Sequence, residues 1–289
     1  MNKILSIIIP TYNAAQFLDK GLSTFIMEDK EMMDKLEVLI VNDGTKDNSV
    51  EVAQKFVDRY PNTFKIINKE NGGHGSAINT GVENVTGKYF KCVDADDWVY
   101  TDALERTMKI LEKEDFDVLI QSFITYDISK DLWEPRDIHC DNTGHIYNLK
   151  EIVDMWEQID YGMSFHGVTY NAQFYKSLGY KLIEGVFYED QEYATIPLSY
   201  AKRIRLLDDE LYVYRLGDVN QSVSTQSQLS RLPHFEAVLF KILEHEKNLD
   251  KNCGQGRYQC ILVRFTISFL SKIRIKRASG NMQKSLQCV

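Results

Sequence analysis

Gly87-Lys-Tyr-Phe-Lys-Cys-Val-Asp-Ala-Asp-Asp97 decides how this chain is read. A short, mostly apolar run, Tyr89–Val93, stops at a cluster of acids, with Asp94, Asp96 and Asp97 around Ala95. Apolar runs of the same kind occur at Leu5–Ile9, Leu36–Val41, Phe64–Ile67 and Val118–Ile120. They are rich in β-branched residues, as strands buried on both faces are. Helical periods lie between them. Phe17, Leu18, Leu22, Phe25 and Ile26 share one helix face, and so do Val50, Ala53, Phe56, Val57 and Tyr60. Leu104, Met108 and Leu111 mark a third helix, with Thr101 as its N-cap. Strand–helix alternation predicts an α/β fold with a three-layer, mostly parallel sheet.

In such sheets ligands bind beyond the carboxyl ends of the strands. Those ends carry Pro10-Thr11-Tyr12-Asn13, Asn42-Asp43-Gly44-Thr45 and Asp94-Ala95-Asp96-Asp97. Pro10 lacks a backbone donor and is expected to end its strand. Tyr12 could stack on a nucleobase or pack under its loop. Asp43 is placed to accept hydrogen bonds from a base or ribose, while Asp47 or Ser49 caps the next helix. Three carboxylates in four residues repel unless a positive charge sits among them. Mg²⁺ or Mn²⁺ fits, since such ions take one or two carboxylates plus substrate phosphates. A solvated acidic turn is the alternative.

Asn71-Gly-Gly-His-Gly-Ser-Ala-Ile-Asn-Thr-Gly81 is the most glycine-rich stretch. It precedes or opens a helix, where backbone can approach a ligand closely and an anion is favoured. No Gly-Lys-Ser/Thr follows, so it is not a P-loop. His74 is a ligand contact or a loop residue. Glu189-Asp190 lies among aromatics and reads as a general base or as an exposed helix start. Arg215 could neutralise a diphosphate leaving group or form a surface salt bridge.

The chain has 289 residues, 44% of them hydrophobic and 26% charged, which is globular composition. Disorder and disulfide frameworks fit poorly. Five cysteines (92, 140, 253, 260 and 288) make no close pair, the usage of a cytosolic protein with reduced thiols. Leu5–Ile9 is too short for the apolar region of a signal peptide, and no apolar run is long enough to span a membrane. A net charge of −8 argues against nucleic-acid binding. Residues 251–289 hold eight basic and no acidic residues, leaving −16 for residues 1–250.

Four elements, in order, resemble the family-2 glycosyltransferases of the GT-A (Rossmann-like) fold. They are Ser6-Ile-Ile-Ile-Pro-Thr-Tyr-Asn13, Val41-Asn-Asp-Gly-Thr-Lys-Asp47, Asp94-Ala-Asp-Asp97 after Gly87-Lys-Tyr-Phe, and Tyr188-Glu-Asp-Gln191 followed by Leu211-Tyr-Val-Tyr-Arg215 and Ser222-Val-Ser224. The match spans about residues 4–224. The resemblance implies a nucleotide pocket at Pro10, Thr11 and Tyr12, with Asp43 on the base, usually uracil. Asn71 and His74 of the glycine-rich loop and Ala95 join the donor site. Asp94 would hold the ribose or donor sugar, and Asp96, the second acid of the D-x-D motif, the metal, with Asp94 beside it. Asp190 would be the catalytic base and Glu189 its support at the acceptor site. Arg215 and Ser222/Ser224 would close over the diphosphate. Many relatives carry Ala-Arg-Asn where this chain reads Ala77-Ile78-Asn79, so an expected Arg is absent and His74 takes part of its place.

The expected activity is metal-dependent, inverting transfer from a UDP-sugar to a glycan or polyprenyl-linked acceptor in capsule or exopolysaccharide assembly. Residues 1–98 form the nucleotide-sugar half, 99–216 the acceptor half, and 217–289 a helical, basic region. Leu229, Leu232, Phe235, Val238, Leu239, Ile242 and Leu243 recur at helical spacing. The basic, apolar stretch 261–277 either lies on the anionic inner leaflet or packs on the acidic body. Relatives often extend further, so the chain is expected to end early. Two rivals stand beside this reading. A sugar-1-phosphate nucleotidyltransferase would want a glycine-rich, basic signature after the first strand, and none is there. A non-catalytic partner that binds nucleotide or glycan is separated from an enzyme by turnover.

Overall fold

The chain divides into two compact units, residues 1–217 and 218–289. A computed structural model describes residues 2–140, 143–159, 161–217 and 231–248. The first unit begins β1 (Leu5–Thr11), α1 (Ala15–Ser23), α2 (Lys30–Lys35), β2 (Leu36–Asn42), α3 (Ser49–Arg59) and β3 (Phe64–Asn68). It continues with α4 (His74–Asn84), β4 (Tyr89–Cys92), β5 (Trp98–Val99), α5 (Thr101–Lys113), β6 (Val118–Asp127) and β7 (Leu132–Arg136). The remainder is β8 (Ile146–Tyr147), α6 (Leu149–Asp154), α7 (Trp156–Ile159), β9 (Val168–Asn171), α8 (Ala172–Ser177), α9 (Glu189–Thr195) and β10 (Ile204–Leu216). In the second unit one helix, Leu232–Asn248, is described, with Leu232, Phe235, Val238 and Ile242 buried on one face.

The sheet order is β3-β2-β1-β4-β9-β6-β10-β5, with β7 beside β6 and β8 beside β10. β1 pairs in parallel with both β2 and β4, and β6 with β10, while β9 runs antiparallel between β4 and β6. All seven residues of β1 are buried. Leu5, Ile7 and Ile9 join Leu18 and Leu22 of α1, Ala53 and Phe56 of α3, and Leu104 and Met108 of α5. Ile8, on the opposite face, joins Ala77, Ile78 and Val82 of α4. Each of the larger side chains among them, Leu, Ile, Val, Phe or Met, contributes about 1.5–3 kcal/mol by burial, and the two faces make the predicted three-layer α/β sheet. The turn into β4 is tight. Gly87 donates its N–H to Ser6 Oγ at 2.9 Å, and a Cβ there would lie 2.7 Å from the Ser6 nitrogen.

Three local expectations are corrected. β1 does not stop at Pro10 but runs to Thr11. Ile8 turns its carbonyl toward the β4 side and Thr11 toward β2, so Pro10 faces the β4 side, where the ladder has already ended at Ile8–Cys92. The missing N–H therefore costs no bond. Thr101 is the first residue of α5, not its cap, and its hydroxyl donates to the Thr24 carbonyl at 2.8 Å. Asp47 and Ser49 chiefly cap α1: the N–H groups of Ala15 and Ala14 donate to Asp47 Oδ2 and Ser49 Oγ, both at 2.9 Å. Asp47 also accepts from Thr45 and Ser49, and these bonds outweigh its burial and lower its pKa to about 2.

Candidate active site

Because β1, β2 and β4 are parallel, their carboxyl ends open on one rim. The chain reverses its direction of travel across the sheet at β1, the position where such folds leave a crevice. The loops after β1 and β2 are tied together there: Asn13 Oδ1 accepts from Lys46 N at 2.9 Å and from Thr45 Oγ1 at 3.1 Å. Tyr12 stands out from this loop, 49% exposed. Pro10 and Thr11 are buried, and the Thr11 hydroxyl donates to the Ile9 carbonyl at 3.0 Å.

Asp43 organises the glycine-rich loop. Its Oδ1 accepts from Lys69 Nζ at 2.6 Å and Gly72 N at 2.9 Å, and its Oδ2 from Gly73 N at 2.8 Å. Asn71 Nδ2 donates to the Asp43 carbonyl at 2.8 Å. Gly73 has φ 89°, a left-handed conformation that favours glycine, and α4 starts one residue later at His74. Ile78 is fully buried in the core beneath this loop, and the cation beside Asp43 is Lys69, which sequence reasoning had not singled out.

His74 bridges two carboxylates that lie far apart in sequence. Its Nε2 donates to Asp94 Oδ1 at 2.8 Å and its Nδ1 to Glu189 Oε1 at 2.5 Å. The three side chains are 33%, 29% and 4% exposed for His74, Asp94 and Glu189. Burial disfavours the imidazolium, but the two carboxylates overcome it and raise the His74 pKa well above its usual value. Both ring nitrogens thus face protein carboxylates, and His74 acts as the internal cation of the site. Burial likewise works against ionised Asp94, and His74 holds its pKa down. Glu189 Oε2 is buried with no hydrogen-bond partner among the described residues.

Tyr188, at φ 74°, is a non-glycine residue in left-handed geometry immediately before α9. Such outliers concentrate at functional sites. The turn sets Glu189 and Asp190 on the first turn of α9, which packs against the start of α4, where a Cβ on Gly75 would lie 3.1 Å from Glu189 Cγ. Burial and then the Glu189 charge raise the Asp190 pKa to about 6. Gln191 Nε2 donates to its Oδ2 at 2.9 Å.

The rest of the acidic loop is divided between two tasks. Asp97 is buried and accepts from Tyr212 Oη at 2.5 Å and from the Arg215 N–H at 2.7 Å, fixing the end of β10. Burial, then the Asp96 and Asp94 charges, push its pKa well up. Asp96 is partly exposed, 3.7 Å from Arg215 Nη1, and the Arg215 guanidinium lies over the Phe17 ring at 4.5 Å. Donor atoms of Asp94, Asp97 and His166 lie within 4.8 Å of one another, a group able to take a metal ion. Burial lowers the His166 pKa to about 4, so it is a neutral imidazole with a lone pair to offer. It stacks on Tyr214 at 4.0 Å and on Phe123 at 5.0 Å. Two carboxylates and an imidazole suit Mn²⁺, whereas Mg²⁺ prefers oxygen alone.

The structure therefore brings Asp94, Asp96, His74, Glu189, Asp190 and Arg215 to one rim, with Asp43 and Asn71 behind the glycine-rich loop. Sequence reasoning missed His166, Asp97 as a tether, Tyr212 and Lys69. His166 lies in a stretch without clear periodicity, and no local pattern marks it. Ser222, Ser224, the basic stretch 261–277 and Cys253, Cys260 and Cys288 lie outside the described residues. Cys92 is buried and carries a free thiol. Among the described residues no helix is long and apolar enough to cross a membrane.

Residues 6–179 match the family described as "Glycosyl transferase family 2". The chain is 25% identical over 226 residues to the uncharacterized glycosyltransferase EpsJ of Bacillus subtilis (strain 168), covering 74% of this chain and 62% of EpsJ. It thus spans less than two thirds of that relative. Among solved structures, S. aureus TarS 1–349 in complex with UDP-GlcNAc superposes with a TM-score of 0.64 at 18% identity, covering 91% of this chain and 71% of that one. The mannosyltransferase PcManGT from Pyrobaculum calidifontis, in complex with GDP-Man and Mn²⁺, gives 0.58 at 16%, covering 97% and 76%. These likenesses show the GT-A fold. With more than half of its length matched to the family, the chain belongs to glycosyl transferase family 2.

Proposed function

We propose that this family-2 chain is a metal-dependent, inverting glycosyltransferase that moves a sugar from a UDP-sugar to a glycan or lipid-linked glycan in cell-surface polysaccharide assembly. The observation that carries this reading is the His74 bridge, which couples the acidic loop after β4 to the carboxylate pair that opens α9. Charge-bearing groups for a leaving diphosphate and a base for an incoming hydroxyl then share one crevice. The nucleotide complexes of TarS and PcManGT support a nucleoside-diphosphate donor.

In this reading residues 1–98 take the nucleotide. Tyr12 stacks on the base, and the loop braced by Asp43 and Asn71 lines its edge. Asp94 and Asp96 would hold Mn²⁺ or Mg²⁺, and His166, whose donor atom groups with those of Asp94 and Asp97, would offer a neutral nitrogen on the Asp94 side. A divalent cation held by these residues would supply positive charge for the leaving diphosphate. Arg215, 3.7 Å from Asp96, adds positive charge at the same place. Asp190 takes the proton of the acceptor hydroxyl, and its raised pKa suits that work near neutral pH. Glu189 Oε2, buried and unpartnered, is an acceptor for a second hydroxyl. A single base and in-line attack give inversion at the anomeric carbon. The basic 261–277 stretch supports peripheral contact with an anionic leaflet.

Turnover of UDP-sugars tests the reading. With Mn²⁺ the wild type should release UDP in the presence of acceptor. Asp190→Asn should keep UDP binding and lose about 10²–10⁴ in kcat, the usual range for a general base. Full activity of that variant would remove the assignment.

A further inference from the structure

The β6–β7 hairpin, together with Trp98 of β5, presents aromatic rings that none of the proposed chemistry uses. Trp133, 43% exposed, stacks on Tyr126 with ring centroids 4.1 Å apart and planes 21° from parallel. Trp98 closes the cluster edge-on, 6.2 Å from Tyr126 and 6.4 Å from Trp133. Lys20 Nζ lies over the Trp98 ring at 3.1 Å. The support is rigid. Asp127 accepts from Ser129 N at 3.0 Å, Ser129 Oγ at 2.6 Å and Lys130 Nζ at 2.7 Å, and Tyr126 Oη donates to Asp131 at 3.0 Å. A plate fixed before its ligand arrives loses little entropy on binding.

The plate adjoins the candidate site. Tyr126 is the register partner of Arg215 on the neighbouring strand, and Trp98 follows directly on Asp97. It is also the wrong size for a protein partner. Lys130, Asp131, Glu134 and Arg136 interrupt the apolar surface, leaving a ring-sized plate with Ile128 and Leu132 beside it. A protein interface needs about 800 Å² per partner. Pro135 and the flanking charges of β7 also discourage strand addition at this edge. A flat aromatic face, negative in its quadrupole, rimmed by carboxylates and cations, matches one class of ligand well. A pyranose offers a face of polarised C–H groups to the ring and hydroxyls to the rim.

We propose that Trp133, backed by Tyr126 and Trp98, is a saccharide-binding platform that receives the acceptor glycan beside the transfer site. This rests on the glycosyl-transfer reading above and adds where the acceptor lies. The test is saturation-transfer NMR and calorimetry on the full chain, with and without UDP and Mn²⁺. The probes are chitotetraose, cellotetraose and maltotetraose. Pyranose C–H protons of at least one should receive saturation from the wild type. Trp133→Ala should weaken that binding by about tenfold or more, while Trp133→Tyr, which keeps a ring, should stay within about threefold. UDP binding should be the same in all three proteins. Saccharide binding untouched by Trp133→Ala, or absent from the wild type with every probe, overturns the proposal. Loss of UDP binding in Trp133→Ala also overturns it, by assigning the ring to the nucleobase. Wild-type saccharide binding without any UDP binding would leave the platform standing and count against the transferase reading instead.

Discussion

Replacing His74 by Gln removes the cation between Asp94 and Glu189 and keeps a side chain of similar reach. The consequence is set by how deeply each partner is buried. Glu189 is 4% exposed, so it would retain a negative charge with no cation against it. Stripping one partner from a buried pair costs about 3–5 kcal/mol. Asp94 is 29% exposed, and its arm adds no more than about 1 kcal/mol after solvent screening. The Gln amide can restore one hydrogen bond, returning about 1 kcal/mol. The net loss is about 3–4 kcal/mol, which for a unit of this size lowers Tm by roughly 10 °C.

The pH dependence carries a sign. The His74 pKa is raised in the folded state, so its stabilisation is complete below the unfolded value of about 6.5 and is lost as pH rises through the folded value. The Asp94 pKa is lowered, so its share is present above about 3.9 and is lost as pH falls through the folded value. The difference between wild type and variant should therefore be widest between about pH 5 and 6.5 and should narrow at higher pH. Thermal melts of both proteins from pH 5 to 9 measure it. Equal melting temperatures across that range would refute the idea that His74 is the cation joining the two halves of the site.

Other outcomes follow from the remaining buried charges. With Asp190 raised to about 6, kcat/KM should fall as pH drops below about 6, and His74→Gln should move that limb upward because the imidazolium lowers the Asp190 pKa; a flat profile from pH 5 to 7 would contradict this. Burial lowers the Lys91 pKa to about 7, and its Nζ donates to the carbonyls of His166 at 2.6 Å and Val168 at 3.2 Å. Between pH 7 and about 10 the unfolded chain binds a proton that the folded chain lacks, so wild-type stability should rise with pH relative to Lys91→Met. Denaturant titrations at pH 7, 8.5 and 10 check this, and a constant difference would rule it out.

Most of the first hundred residues were legible because strands buried on both faces print continuous apolar runs. β1 to β4 lie where those runs lie, and α1, α3 and α5 follow their periodic faces. Errors there came from contacts that sequence does not carry. Pro10 reads as a terminator unless one knows that β4 has already ended beside it, and Thr101 reads as a cap until Thr24 is seen to take its hydroxyl. Beyond residue 126 the signal fades for physical reasons. β7 is exposed, β9 has four residues, and β9 enters the sheet antiparallel between strands distant in sequence. The chemistry followed the same division. Asp43, Asp94, Asp96, Glu189, Asp190 and Arg215 were readable as residues, but their connections were not. His74 and Glu189 are 115 positions apart, and only the fold shows that they touch. His166 has no motif around it and is found only through Asp94, Asp97 and Tyr214.

The most direct test of a metal-dependent nucleotide-sugar site is a calorimetric titration of UDP into the wild type and Asp96→Asn, each with Mn²⁺ and with EDTA. The account predicts saturable binding by the wild type with Mn²⁺, weakened by about tenfold or more by EDTA, and weakened as much by Asp96→Asn in the presence of the ion. Absence of binding in the wild type, or binding indifferent to both EDTA and the substitution, would contradict it.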